Sequence, residues 1–420
     1  MTQSKKTHLT WSNRDLLVQW EQSLATIDSK GGHVFTELFE YQTPQQGPLT
    51  GSIISIKDLF DVAGYRTQAG SIFINDKKAT ADADAVAALR DAGASVIGHT
   101  NMTELAYSGL GLNPHYGTPN NPVISGRIPG GSTSGGAVSV ALGIADAALG
   151  TDTGGSLRIP AAFCGVTGFK PSQQTVSRKG SLPLSDALDS VGPIANSVEE
   201  CELLWKTLSG TQETKNHTDL SQLTLVVPTN FGMNELDPLV EQGFAEVLVR
   251  LEASGLKIEH RFVDALEAYK TLPVWQFSAF ECDAYYGERY DLNTVAMDPR
   301  VASRIARAKT VNSDDFEKTK AARVAFIQSV ESQETNTIFL LPTVAVLAPK
   351  LADLEENTEY DRLNLLCLRN TSLANVLNGC SVSLPFRFQS EPMGLMLTGN
   401  NGMDQQILDL AKVLEASIHK

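Results

Sequence analysis

The sequence predicts a single mixed α/β domain, and three observations support this prediction. Segments typical of strands alternate with segments typical of helices, which is the order expected of an α/β protein. The composition is that of a globular domain, with 42% hydrophobic and 20% charged residues among 420. No internal repeat, low-complexity linker or sharp change of composition occurs, so we expect residues 1–420 to form one domain.

The N-terminal part is predicted to be a helical arm over residues 1–45, followed by a buried strand. Apolar side chains recur in the arm at helical spacing, at Leu16, Leu17, Trp20, Leu24 and Ile27. Farther along, Ile54 and Ile56 alternate with polar residues, a pattern typical of a strand. We expect this strand to end near Lys57.

Two stretches predict paired helices and strands. The alanine-rich segment 81–93 predicts a helix and residues 95–98 a strand, and residues 137–150 repeat that order. A second stretch, about 200–260, predicts helix, strand, helix and strand in turn. This alternation predicts a sheet against which helices pack.

The C-terminal part begins with a mainly helical, more highly charged region at about 260–335, which we interpret as an elaboration of the domain. The apolar run 340–349 predicts a buried strand. Residues 405–418 predict a closing amphipathic helix.

The charge balance argues against polyanionic partners. Lysine and arginine number 34 and aspartate and glutamate 48, which gives a net charge of −14. Such a surface repels phosphate backbones and anionic headgroups, so we expect no direct binding of nucleic acid and no membrane binding. The N-terminus lacks the apolar core of a signal peptide, and we expect a cytoplasmic protein.

Cysteine usage predicts neither a disulfide framework nor a metal site. The five cysteines are scattered, and none has the CxxC or Cys/His spacing typical of zinc. We therefore expect reduced, buried thiols, and we predict no metal and no organic cofactor.

Two loops rich in glycine and serine lie close together in the sequence. The first loop is PGGSTSGG at 129–136, and the second loop is TDTGGSLRIP at 151–160. Neither has the lysine of a GxxxxGK[ST] phosphate loop or the GxGxxG spacing of a dinucleotide site. The first loop also does not match the GxSxG motif of a nucleophile elbow, because Thr133 occupies the position of the central serine. The loops therefore indicate a different serine chemistry.

A base for that chemistry is not obvious among the seven histidines. His99 and His115 are the nearest to the loops in sequence, and neither spacing favours a Ser-His-Asp triad. Lys57 is the alternative, because desolvation on an inner strand would lower the pKa of its amine towards neutrality. The competing interpretation is a lysine at a strand end whose ammonium reaches water.

Several long motifs bring these features together. They are residues 48–64 around Lys57, residues 100–122, the first loop with the residues after it (129–143), and residues 150–172, 182–200 and 394–415. In this order they resemble the amidase signature family over nearly the whole chain. The resemblance implies a mixed, twisted central β-sheet flanked by helices on both faces.

The resemblance also implies a Ser–cis-Ser–Lys triad. Matching motif to motif, the nucleophile falls on Ser156, the bridging serine on Ser132 and the base on Lys57. Because a threonine separates two serines in this chain, Ser134 is the alternative bridging serine. A lysine, two serines and an acyl-enzyme suit amide hydrolysis, which needs a nucleophile and a proton for the leaving nitrogen.

The resemblance extends to the surroundings of the triad. An oxyanion hole is expected from the backbone around Ser156, at Thr153, Gly154 and Gly155. Substrate contacts are expected at Gly131, Ser134, Met102 and Tyr107, in a pocket walled by residues 101–117 and 265–310. Asp152 and Arg158, which flank Ser156 in sequence, are expected to form a structural ion pair.

The predicted function is hydrolysis of a small-molecule amide or a related C–N bond, with release of ammonia or an amine. The alternatives are the A-type glutaminase subunit of a tRNA-dependent amidotransferase and a urea-derivative hydrolase of the allophanate or biuret type. A catalytically silent scaffold is a third hypothesis, against which the intact triad argues. A homodimer is expected by family analogy alone.

Overall fold

A computed structural model describes residues 9, 11, 14–211 and 219–418. Its strands are β1 (Phe35–Leu38), β2 (Ile53–Lys57), β3 (Ser95–Thr100), β4 (Ala147–Asp152), β5 (Thr167–Lys170), β6 (Ser190–Ala195), β7 (Thr224–Pro228), β8 (Ile258–Arg261), β9 (Thr337–Pro342), β10 (Cys380–Phe388) and β11 (Glu391–Gly399). Its α-helices are α1 (Leu16–Lys30), α2 (Asp84–Asp91), α3 (Ser134–Ala141), α4 (Arg158–Cys164), α5 (Val198–Ser209), α6 (Pro238–Ala253), α7 (Trp275–Gly287), α8 (Pro299–Ala306), α9 (Ser313–Gln333), α10 (Asn357–Val376) and α11 (Asp404–Ile418).

The strands form one mixed sheet in the order β1-β3-β2-β4-β6-β5-β10-β11-β9-β7-β8. β2 pairs in parallel with both β3 and β4, whereas β4 pairs antiparallel with β6. Every residue of β2 and of β4 is buried. Because β2 and β4 are parallel neighbours, their carboxyl ends, at Lys57 and Asp152, lie at the same edge of the sheet.

Small residues let α3 lie very close to β4. A Cβ on Gly136 of α3 would come within 3.1 Å of Ala148 Cβ, and a Cβ on Gly150 would come within 2.8 Å of the Thr133 methyl. This close packing places the start of α3, and with it the first loop, beside the end of β4.

Most predicted elements are confirmed at nearly the predicted bounds. The strand ending at Lys57 is β2, the helix in 81–93 is α2, and 95–98 lies within β3. The four elements predicted over about 200–260 are α5, β7, α6 and β8, and the helical region at about 260–335 contains α7, α8 and α9. The closing helix over 405–418 is α11.

Two predicted elements need correction. The helical arm over 1–45 is a helix only at Leu16–Lys30, and Phe35–Leu38 forms β1, which pairs antiparallel with β3. The helix ends at Lys30, and Gly31 follows as its C-cap, with its N–H donating to the Ile27 carbonyl at 2.9 Å. Residues 1–8, 10, 12 and 13 of the arm lie outside the described residues.

The strand predicted over 340–349 is the other correction. β9 begins earlier, at Thr337, and ends at Pro342 between β11 and β7. Beyond it the backbone turns towards α6, since the Asp237 N–H donates to the Ala345 carbonyl. Apolarity therefore marked this segment as buried without fixing where its strand ends.

Candidate active site

Lys57 is fully buried at the end of β2. Its Nζ donates hydrogen bonds to Ser132 Oγ at 2.7 Å, to Thr151 Oγ1 at 3.0 Å and to the Thr151 carbonyl at 3.3 Å. Within the described residues, no carboxylate lies within ion-pair distance of this amine. The interpretation of Lys57 as a lysine that reaches water is therefore wrong.

Burial changes the acid–base behaviour of Lys57. Desolvation lowers the pKa of its amine from 10.5 to about 7, against the opposing charges of Asp189 and Asp152. At neutral pH a large fraction of the amine is consequently unprotonated. A neutral amine in contact with a hydroxyl can accept a proton from it.

Ser132 is fixed by its backbone from both sides. The peptide bond between Gly131 and Ser132 is cis. The Gly131 N–H donates to the Gly109 carbonyl at 2.8 Å, and the Ser132 carbonyl accepts from the Thr103 N–H at 3.2 Å. The loop is thus held against residues 103–109.

Ser134 occupies a different environment. It is the first residue of α3, and its Oγ donates to the Asn101 carbonyl at 3.3 Å. Ser132, not Ser134, is the serine whose hydroxyl contacts Lys57. The hydrogen bonding therefore favours Ser132 over Ser134 as the bridging serine.

Ser156 lies in the turn between β4 and α4 and is 3% exposed. Its carbonyl accepts a hydrogen bond from the Thr133 N–H at 3.3 Å, which joins the second loop to the first. Across the described part of the chain, Ser156 Oγ has no hydrogen-bond partner. The hydroxyl is therefore free to engage a substrate.

Asp152 and Arg158 form the predicted ion pair, which is confirmed at 2.8 Å with both side chains fully buried. The carboxylate also accepts from the Gly155 and Leu157 N–H groups, at 2.8 and 3.1 Å. Burial alone would raise the pKa of Asp152, but Arg158 lowers it to about 2. This permanently charged pair fixes the start of the turn that carries Ser156.

The peptide between Gly154 and Gly155 is held at both ends. Its carbonyl accepts hydrogen bonds from the hydroxyls of Thr371 and Ser372 on α10, and its N–H donates to Asp152. Gly155 has φ +141°, and a Cβ there would lie 2.3 Å from Thr371 Oγ1. Only glycine fits this position.

This hydrogen bonding corrects one part of the expected oxyanion hole. The N–H of Gly155 is directed to Asp152, so it is not available to a substrate oxygen in this conformation. The N–H groups of Thr153, Gly154 and Ser156 have no acceptor within the residues that the structure describes. These three amides are therefore the candidate donors.

The predicted pocket walls come together beside the first loop. Met102 is fully buried, and its carbonyl accepts from Asn113 Nδ2 at 2.8 Å. The carbonyl of Tyr107 accepts from Arg304 Nη1 at 2.7 Å, which joins segment 101–117 to segment 265–310. Burial raises the pKa of the Tyr107 hydroxyl above its ordinary value, so the group is a neutral phenol.

His99 and His115, the histidines nearest to the loops in sequence, contact other groups. The His99 ring contacts the Phe60 carbonyl at 3.0 Å, and the His115 ring contacts Glu104 at 3.0 Å. Neither ring contacts Ser132 or Ser156. Among the described residues, no group of three or more histidine, cysteine, aspartate or glutamate side chains could hold a metal ion.

Sequence reasoning missed several residues around the site: Thr151, Asp189, Thr371, Ser372 and Asn375. Asp189 lies in the motif 182–200 and could have been examined for that reason. The three residues of α10 carry no local signal, because they reach the second loop from more than two hundred positions along the chain.

None of the helices in the described ranges is both long and apolar enough to cross a membrane.

Comparison with known proteins gives one consistent picture. The family model named Amidase matches residues 35–408. The 2-amino-5-chloromuconic acid deaminase of Comamonas testosteroni is 30% identical over 381 residues, which cover 89% of this chain and 82% of that protein. The A-type subunit of the glutamyl-tRNA(Gln) amidotransferase of Haloarcula marismortui is 31% identical over 430 residues, which cover 91% and 99%.

Solved structures give the same result for the fold. The crystal structure of an amidase superposes with a TM-score of 0.84 at 30% identity and covers 98% of both chains. The allophanate hydrolase of Kluyveromyces lactis has a TM-score of 0.83 at 24% identity, covering 97% of this chain and 71% of that one. The second likeness supports the fold alone.

Proposed function

The chain belongs to the amidase family, and we propose that it hydrolyses a carboxamide or related C–N bond through an acyl-enzyme on Ser156. The observation that carries this proposal is the 2.7 Å contact between Ser132 and a buried Lys57 whose pKa is lowered to about 7. A lysine in that state can act as a general base at neutral pH, where an ordinary lysine cannot.

The proposed relay has two proton transfers. As Ser156 Oγ attacks the amide carbon, its proton passes to Ser132 Oγ, and the proton of Ser132 passes to neutral Lys57 Nζ. The same route, which needs Ser132 Oγ to reach Ser156 Oγ once substrate is bound, then returns a proton to the leaving nitrogen, which departs as ammonia or an amine. Water repeats the sequence against the acyl-enzyme and releases the acid.

The tetrahedral intermediate would carry its negative charge near the amides of Thr153, Gly154 and Ser156. These donors are preorganised, because Asp152, Thr371 and Ser372 hold the turn before substrate arrives. Each such donor typically contributes about 3–4 kcal/mol to lowering the barrier.

A panel of aliphatic, aryl, amino-acid and urea-type amides tests the proposal. Release of ammonia or amine is measured for the purified protein and for Ser156→Ala, which should lose at least ~10³-fold in rate. Ser132→Ala and Ser134→Ala form a matched pair, and we expect the former to lose at least ~10²-fold more activity than the latter. Full activity of Ser156→Ala would refute the acyl-enzyme.

The likeness to the A-type amidotransferase subunit, at 31% identity, supports a second candidate function. In that case the substrate would be glutamine, and ammonia would pass to a partner protein that holds the tRNA. Native purification followed by mass measurement separates the two. A stable hetero-complex with glutaminase activity favours the amidotransferase role, whereas a homodimer or monomer active on other amides favours the free-standing amidase.

A further inference from the structure

We propose that Asp189 is a positioning residue that supplies the counter-charge for Lys57 once the relay has protonated its amine. The proposal rests on the relay proposed above and adds a fourth residue to it. Nothing in the triad itself balances the positive charge that forms on Lys57.

The pairing of β6 with β4 places Asp189 beside the second loop. Ser190 of β6 pairs with Asp152 of β4, so the preceding residue, Asp189, is the neighbour of Thr153. The Thr153 hydroxyl donates to Asp189 Oδ1. The N–H groups of Leu184 and Ser185 donate to Oδ2 at 2.9 and 3.1 Å.

These three donors favour the ionised form of the carboxylate. Asp189 is only 4% exposed, and in the described part of the chain it has no cation within ion-pair distance. Asp152, by contrast, is fully neutralised by Arg158. Asp189 contacts Thr153 and Lys57 contacts Thr151, so both groups lie at the end of β4. A buried carboxylate and a buried amine that each lack an ion pair form a separated charge pair there when the amine is protonated.

The effect of neighbouring charges on the pKa of Lys57 agrees with the position of Asp189 at the end of β4. The charge of Asp189 raises the pKa of Lys57 more than that of Asp152 does, although burial outweighs both. Burial raises the pKa of Asp189 above its ordinary value, although its hydrogen bonds and Arg178 lower it in part.

Other titratable or charged groups surround this pair. From β4 and α4 they are Asp152 and Arg158, from the loop before β6 Arg178, and from α7 Glu281, Cys282 and Tyr286. Burial raises the pKa of Cys282 and Tyr286, and it raises that of Glu281 as it does that of Asp189, but Glu281 is not among the charges that act on Lys57. The negative charges that act on Lys57 are those of Asp189 and Asp152, and of the two only Asp152 is paired with a cation, Arg158.

A fluorophosphonate probe tests the role without knowledge of the substrate. Ser156 Oγ attacks phosphorus, the O–P bond forms, fluoride leaves, and the serine proton passes through Ser132 to Lys57. The second-order labelling rate, measured against pH, therefore has an acidic limb at the pKa of Lys57. In Asp189→Asn we expect this limb to move down by about one pH unit and the plateau rate to fall roughly threefold.

Asp186→Asn is the matched control. Asp186 lies three residues away, and its carboxylate is 86% exposed in a salt bridge with Arg178. The acidic limb of the labelling profile of Asp186→Asn should coincide with that of the wild-type protein. Asp189→Ser provides a second removal of the charge, which keeps a hydroxyl for the neighbouring N–H groups.

The outcomes separate the two proposals. A wild-type protein that the probe does not label at Ser156 contradicts the relay and the role of Asp189 together. Normal wild-type labelling with an unmoved or raised limb in both Asp189 variants contradicts the role of Asp189 alone. Failure of both variants to fold also overturns it, because Asp189 would then be a structural residue first.

Discussion

Lys57 and Lys170 end two strands of the same sheet, and both are fully buried, yet their amines meet different partners. Lys57 Nζ contacts the hydroxyls of Ser132 and Thr151. Lys170 Nζ donates to the carbonyls of Pro171 and Gly379 at 2.7 and 2.6 Å. Burial lowers the pKa of both amines, to about 7 and about 8.

The difference lies in what each partner can do with a proton. A hydroxyl can give and take one, so an amine beside it can take part in a relay. A carbonyl can only accept a hydrogen bond, so Lys170 joins two chain segments and has no proton to exchange with them. A depressed pKa marks a buried lysine, and the neighbouring group decides whether that lysine is reactive.

Substitution of Lys57 should give the largest effect on activity. We expect Lys57→Met to lower kcat/KM, or the fluorophosphonate labelling rate, by about 10²–10⁴-fold, because the general base is lost. Its free energy of unfolding at pH 7 should stay equal or rise, since folding no longer desolvates an amine. Thermal and urea unfolding check the second point, and near-normal activity would end the assignment of Lys57 as the base.

Substitution of Lys170 should have the opposite effect. Lys170→Met leaves two buried carbonyls without a donor, at a cost of about 2–4 kcal/mol. Relief of the desolvation of its amine offsets part of this cost, so we expect the free energy of unfolding to fall by less than that. The activity per folded molecule should stay within a few-fold of wild type. A loss as deep as that of Lys57→Met, in a folded protein, would erase the distinction between the two lysines.

The pH profile sharpens the comparison further. Only neutral Lys57 can accept a proton, and its pKa is about 7, so activity should fall about tenfold for each pH unit below that value. Above it the rate should level off. In Lys170→Met the midpoint should not move, and a shift with that variant would indicate that Lys170 also controls the profile.

The smallest effect should come from α10. Thr371→Val removes one of the two hydroxyls that hold the Gly154 carbonyl, and Ser372 retains the other. We expect kcat to fall less than about tenfold with little change in KM, because the loop becomes less well ordered. The double variant with Ser372→Ala should lose more than the sum of the two single losses in ΔΔG‡.

Features that lie within one continuous motif could be predicted from the sequence, such as β2 and the ion pair between Asp152 and Arg158. β2 and the two loops contain the whole proposed triad, and each triad residue was identified within a single stretch of chain. The Gly155 amide was misjudged for a different reason. Its direction depends on a peptide held by Asp152 on one side and by α10 on the other, which no local pattern records.

Some strands were missed because proline and glycine interrupt them. β6 has the sequence SVGPIA, and such residues argue against a central strand. Pro193 is accommodated because it pairs only with Leu149 of β4, whereas the pairing with β5 begins at Ile194. The missing N–H of Pro193 therefore leaves no gap in the ladder with β5.

The hydrogen bonds from α10 to the Gly154 carbonyl can form only after α10 has been synthesised, which has a consequence for the nascent chain. Thr371 lies 217 residues after Gly154, so Lys57, Ser132 and Ser156 emerge from the ribosome long before the turn can be ordered. A nascent chain that has not yet reached α10 carries the three side chains of the proposed triad without the helix that orders the turn beside Ser156. Hydrolytic competence is therefore gained late, when most of the domain is already in place.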